Sequence, residues 1–325
     1  MSWIKNSVLL VVSILFCIIV LEIGARFLDL GYSYSPLQGD GVVHHKHPED
    51  YSFMGYHPKG MWDDIAVHYD RYGNRHDGKT TIETPDGVVL GDSFVEATMV
   101  PYSATIPAAF AARGLMVWNL GVSSYSPILS YLQLKGSKDR LNKANFVLHL
   151  LYMNDVEADL EFEKIAIISN GEVTGVPWGT DWVSNILRNI HLFRAIRRVQ
   201  LSLTYRLGLT DDNARLNPTE AMPINETNKK YLSKTHGLTE SLDARYFLSC
   251  VPPKEHGAYA AKEEGVFCQS VREFAHDSGI DYIDLPRKFS GQKLFIPQNI
   301  HFTAAASARI SDYAADKVIQ TLASD

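Results

Sequence analysis

Two kinds of apolar run divide this chain. From Ser7 to Leu21 no residue is charged and almost all are aliphatic. Extending the run from Trp3 to Ile23 reaches the roughly 20 residues that a membrane-crossing helix needs, with Lys5 before it and Glu22 and Arg26 after it. From residue 86 onward the runs are shorter and alternate with helical patterns. Val88–Leu90, Met116–Leu120, Phe146–Tyr152, Arg245–Cys250 and Asp281–Leu285 read as five strands. Ile106–Arg113, Pro127–Gly136, Ala258–Asp277 and Thr303–Leu322 read as helices, with Thr303 as an N-cap. Nearly continuous apolar strands spaced by helices predict a parallel sheet covered on both faces. Right-handed crossovers then make a doubly wound three-layer α/β sandwich the simplest topology.

Two stretches break the rhythm. Residues 26–85, rich in His, Asp, Gly and Tyr, read as an irregular juxtamembrane segment packed on the core. An insertion at about 157–243 opens with a hairpin signal, Asn170-Gly171 between Ile165–Ile168 and Val173. Trp182–Leu207 reads as a basic amphipathic helix carrying Arg188, Arg194, Arg197 and Arg198. A cap helix packed on the sheet with solvated arginines is the expectation; contact of its polar face with anionic lipid is the alternative. Residues 208–241 read as a polar loop containing the sequon Asn225-Glu226-Thr227.

Composition narrows the picture. The 325 residues are 46% apolar, and the net charge of −6 excludes a general nucleic-acid binder. The only small-residue pair near the first run, Gly24-Ala25, is a poor cleavage site, so an uncleaved anchor over residues 1–25 is expected. Lys5 favours a cytoplasmic N-terminus, which puts the remainder on the periplasmic side of the inner membrane as a single-pass protein. Cys17 lies in the apolar segment; Cys250 and Cys268 are expected as buried thiols, with pairing as the alternative. No Gly-rich phosphate cradle or dinucleotide fingerprint is present, so no cofactor is expected. His44, His45 and His47 read as solvated loop histidines and not as a metal site.

Four blocks carry candidate chemistry: Gly91-Asp92-Ser93, Asn119-Leu120-Gly121, Tyr152-Met153-Asn154-Asp155 and Asn299-Ile300-His301-Phe302-Thr303. The first three follow apolar strands and the fourth precedes the last helix, where the ligand edge of an open α/β sheet lies. In that order they resemble the SGNH, or GDSL-type, hydrolase superfamily over about residues 86–322. Tyr69–Arg75 is also similar to the N-x-x-G-x-R segment of membrane-anchored bacterial members, with Asp70 in place of Asn. The resemblance implies residues 86–325 as the catalytic domain, with Ser93 as nucleophile and His301 as base. It also implies an oxyanion hole from the Ser93 and Gly121 amides and the Asn154 side chain. The chemistry agrees: a serine hydroxyl needs a base within reach, and histidine titrates near the working pH. One departure stands out. The family's acid three residues before the histidine is Gln298 here, and Asn299 lies two before. An amide can still fix the imidazole tautomer, an acid from elsewhere can substitute, or the site only binds. The expected activity is that of an esterase or O-acyltransferase on acyl esters, acetyl foremost, of cell-surface or extracellular polysaccharide. The alternative is a degenerate domain that binds polysaccharide or an assembly partner.

Overall fold

The computed structural model describes residues 2–28, 35–56, 65–178, 190–207, 209, 222–255, 257–296 and 299–324. Five strands, β1 (Gly87–Gly91), β2 (Val117–Asn119), β3 (Phe146–Leu151), β4 (Arg245–Cys250) and β5 (Asp281–Ile283), form one sheet. All pairs are parallel and the spatial order is β5-β4-β3-β1-β2. This is the doubly wound, flavodoxin-like order, and the direction of winding reverses between β1 and β3. Strands β1 to β4 are buried on both faces, which is why they read as apolar runs instead of alternating ones.

Helix α1 (Ser2–Phe27) is the N-terminal apolar helix, almost entirely exposed along its length. The other helices are α2 (Ser93–Glu96), α3 (Ile106–Ala111), α4 (Pro127–Ser137), α5 (Asp155–Ile165), α6 (His191–Arg206), α7 (Glu226–Glu240), α8 (Gly265–Asp277), α9 (Leu285–Lys288) and α10 (Ala304–Leu322). On one face of the sheet, Val89, Leu148 and Phe247 pack against Phe110 of α3 and Ile310, Ala314 and Val318 of α10. On the other, Val88, Val147 and Leu248 pack against Leu134 of α4, Leu232 of α7 and Val271 of α8. Thr303 caps α10 by accepting from the Ala306 amide at 3.2 Å.

Several expectations are corrected. Residues 26–80 are not simply irregular: α1 continues to Phe27, and Tyr51–Met54, Ala66–Tyr69 and Arg75–His76 form a small antiparallel sheet. The polar stretch 208–241 contains α7, opened by a reciprocal cap between Asn225 and Asn228. Its buried stripe is Asn228, Tyr231, Leu232, Thr235 and Thr239, so polar residues supply much of the inward face. Thr235 and Thr239 satisfy their hydroxyls on carbonyls four residues back. The helix expected from Ala258 starts only at Gly265, whose φ of +75° is outside helical space. Cys250 and Cys268 are joined in a disulfide, with Cα atoms 5.5 Å apart, instead of being free thiols. Asn170-Gly171 does turn a hairpin, between Ile167–Ser169 and Glu172–Gly175. Helix α6 packs against α1 instead of capping the central sheet. Trp182 and Arg188 lie outside the described residues.

Candidate active site

The end of β1 makes a sharp turn that only its sequence allows. Gly91 has φ +148°, and a Cβ there would meet the Leu150 carbonyl at 2.6 Å. Asp92 accepts from the Phe94 amide at 2.9 Å, so Ser93 becomes the first residue of α2 at the carboxyl edge of the sheet. His301 arrives on the segment before α10. Its Nε2 is 2.8 Å from Ser93 Oγ. Its Nδ1 is 2.6 Å from Asn299 Oδ1, which also accepts the His301 amide at 2.9 Å. The Asn299 oxygen can only accept, so Nδ1 carries the proton and Nε2 presents a lone pair to the serine hydroxyl. Burial pushes the His301 imidazole down to about 4, against the opposing pull of Glu96. The ring is therefore neutral, the form that can take a proton. Gln298 lies outside the described residues. With Asn299 on Nδ1, a carboxylate from elsewhere is not the partner of this nitrogen.

The cavity over Ser93 has a volume of about 320 Å³. Asn154 lines it, with Oδ1 buried and unpartnered. Gly121 does not take the expected part: its amide donates to Asn119 Oδ1 at 3.0 Å. Glycine is needed there for close packing, since a Cβ would meet the Glu96 nitrogen at 2.6 Å. The same loop instead presents Ser124 to the cavity, in a left-handed conformation at φ +66°. Among the described residues neither the Ser93 nor the Ser124 amide has a hydrogen-bond acceptor.

Glu96, which the sequence reading passed over, is fully buried one turn after Ser93. Its carboxylate accepts from His47 Nε2 and the Tyr69 hydroxyl, each at 3.0 Å, and from the Ser123 amide at 2.8 Å and the Ser123 hydroxyl. Burial would raise this carboxyl, but the His47 charge and the bonds from His47 and Ser123 hold it at about 2. His47 Nδ1 faces the Gly73 carbonyl at 2.9 Å, so the ring is held between that carbonyl and Glu96. His45 Nε2 donates to the Ser123 carbonyl at 2.7 Å, and burial lowers this histidine to about 4. His45 and His47 are thus buried struts and not solvated loop residues. Arg75 closes the other side, donating to the carbonyls of Glu96 at 2.9 Å, Ala97, and Val100 at 2.7 Å. Asp70 shapes the turn before it by accepting from the Tyr72 and Asn74 amides. The buried His149 meets the Tyr246 hydroxyl at 2.9 Å and plays no part in the cavity.

No protein-family model and no curated protein matches the chain. Solved structures do. One is a lipolytic protein of the G-D-S-L family from Desulfitobacterium hafniense, at 13% identity and TM-score 0.39, covering 71% of this chain and 98% of that one. Another is a carbohydrate esterase family 2 enzyme with a carbohydrate-binding domain from Corynascus thermopiles, at 12% identity and TM-score 0.39, covering 81% and 72%. A third is a variant of an acetyl-xylooligosaccharide esterase from Geobacillus, at 14% identity and TM-score 0.37, covering 74% and 96%. The likenesses are too distant to assign an activity.

Proposed function

We propose that the protein is an SGNH-type serine esterase or O-acyltransferase working through an acyl-Ser93 intermediate. The observation that carries this reading is the unbroken relay Ser93 Oγ to His301 Nε2 and His301 Nδ1 to Asn299 Oδ1. In the first half-reaction His301 takes the Ser93 proton as Oγ attacks the ester carbonyl. The carbonyl oxygen becomes an oxyanion facing the Ser93 and Ser124 amides and the Asn154 side-chain amide. Loss of one such donor costs about 3 kcal/mol of transition-state stabilisation. Collapse breaks the ester bond, and His301 returns its proton to the leaving alcohol. In the second half, His301 deprotonates the acceptor hydroxyl, which attacks acyl-Ser93 and regenerates the serine. Water as acceptor gives hydrolysis; a sugar hydroxyl gives transfer.

Asn299 orients the ring without adding charge, so it stabilises the imidazolium less than a carboxylate would. The small cavity suits a short acyl group, acetyl foremost. We assign residues 1–25 as a membrane anchor, 26–85 as a segment strapped onto the core, and 86–325 as the catalytic domain. The Cys250–Cys268 disulfide supports an oxidising compartment and hence an extracytoplasmic domain, and acylated surface polysaccharide is the substrate class proposed for it.

A fluorophosphonate probe tests the reading. Stoichiometric labelling of Ser93, absent in Ser93→Ala and strongly slowed in His301→Ala, is expected. Folded protein that does not label would instead favour a domain that binds polysaccharide or an assembly partner, the reading that the missing acid motivates.

A further inference from the structure

Helix α6 is turned inside out for a helix on a soluble domain. Its polar side faces the protein: Arg194 Nη2 donates to the Tyr51 hydroxyl at 3.1 Å. The Arg198 guanidinium lies 3.8 Å from the centre of the Tyr56 ring, and the Tyr56 and Ser202 hydroxyls are 2.7 Å apart. These residues recur every four positions and define one face. The opposite side is apolar and exposed: Phe193 41%, Ile196 57%, Val199 60%, Leu203 51%, and Leu207 just past the helix end 68%. On a helical projection those five fall within an arc of about 120°. Arg197 and Arg206 flank it, and the helix contains no acidic residue.

The position of this stripe says what covers it. Glu22 of α1 accepts from the His191 amide at 3.1 Å and the Leu192 amide at 2.8 Å, so the anchor itself caps α6. From Trp3 to Leu21 a helix rises about 28 Å, close to the hydrocarbon thickness of a bilayer. Glu22 therefore stands where hydrocarbon ends and headgroups begin, and α6 starts at that level. An exposed apolar stripe edged by arginines and tied to that level has the composition of a helix lying in the plane of a membrane surface.

We infer that α6 lies in the membrane interface, with Phe193, Ile196, Val199, Leu203 and Leu207 in the acyl boundary and Arg197 and Arg206 among anionic headgroups. The inference rests on reading α1 as a membrane anchor. Two attachments then fix the orientation of the domain, where a single helix would leave it free to swing. The apolar face, not the polar face weighed from sequence, is the one that meets lipid.

The test uses the full-length chain in vesicles containing phosphatidylglycerol. An environment-sensitive fluorophore is placed on single cysteines at Ile196→Cys, Leu203→Cys and Glu273→Cys in a Cys17→Ser background. In a separate sample it is placed on the native Cys17. Lipid-borne quenchers are expected to remove most of the signal at positions 17, 196 and 203 and to leave position 273 unchanged. Arg197→Glu with Arg206→Glu is expected to weaken quenching at 196 and 203 but not at 17. Quenching at 17 with water-like emission at 196 and 203 overturns the inference and leaves the anchor standing. No quenching at 17 removes the anchor reading and the inference with it. Shielded probes at 196 and 203 that lipid quenchers do not reach, with cross-links between chains, would show a second copy covering the stripe and also overturn it.

Discussion

The asparagine at position 299 gives the relay a measurable signature. Burial holds His301 at about 4, and no carboxylate on Nδ1 raises it. The acid limb of kcat/KM should therefore lie near pH 4 and not near the usual histidine value of about 6.5. Asn299→Asp should move that limb upward, because an anion favours the imidazolium. Asn299→Ala should lower kcat/KM by about 100-fold, since the ring loses its orienting partner while its base remains. Asp92 offers a second titration. Burial, with Glu96 adding to it, raises this carboxyl to about 7, whereas in the unfolded chain it ionises near 4. As pH rises through that window the unfolded state loses the proton first, so the native state is progressively disfavoured. Asn caps a helix as well as Asp. Asp92→Asn should thus match the parent in thermal unfolding at pH 4 and exceed it at pH 8. That Ser93 and His301 would meet was legible because one block closes an apolar strand and the other opens the last described helix. The part played by the loop was not: the motif drew attention to Gly121, but its amide is taken by Asn119 and Ser124 lines the cavity instead.

At the scale of elements, the loop from Gly121 to Ser124 owes its shape to parts of the chain far away in sequence. Glu96 holds both the amide and the hydroxyl of Ser123, and His45 holds its carbonyl. Glu96→Ala would leave the buried His47 and Tyr69 donors and those of Ser123 without their acceptor and free the loop. A loss of about 3–5 kcal/mol in urea unfolding is expected, at roughly 1–3 kcal/mol for each donor left bare, with kcat falling more than KM changes. Glu96→Gln keeps an acceptor for Ser123 and should retain more of kcat than of stability. The strands could be read from apolar runs because β1 to β4 bury both faces, and most of the helices from a single apolar stripe. Helix α7 could not, since Asn228, Thr235 and Thr239 occupy the inward face that a periodicity search scores as polar. The small sheet around Tyr51–Met54 escaped for a related reason: its strands are two to four residues long and carry histidine, serine and arginine.

Across the whole molecule, the disulfide ties the carboxyl end of β4 to α8 across 18 residues. Closing a loop of that size in the unfolded chain is worth about 3 kcal/mol, so a reductant should lower Tm without altering the secondary structure. The sheet order, β5-β4-β3-β1-β2, places the reversal of winding beside β1, and Ser93 stands at that crevice. The two halves of the relay are 208 residues apart, and His301 sits just ahead of the last helix. Ser93 therefore meets its imidazole only after the chain through His301 has been made and α10 has docked. Until then the hydroxyl has no base beside it, so a nascent chain lacks the chemistry proposed for the folded one.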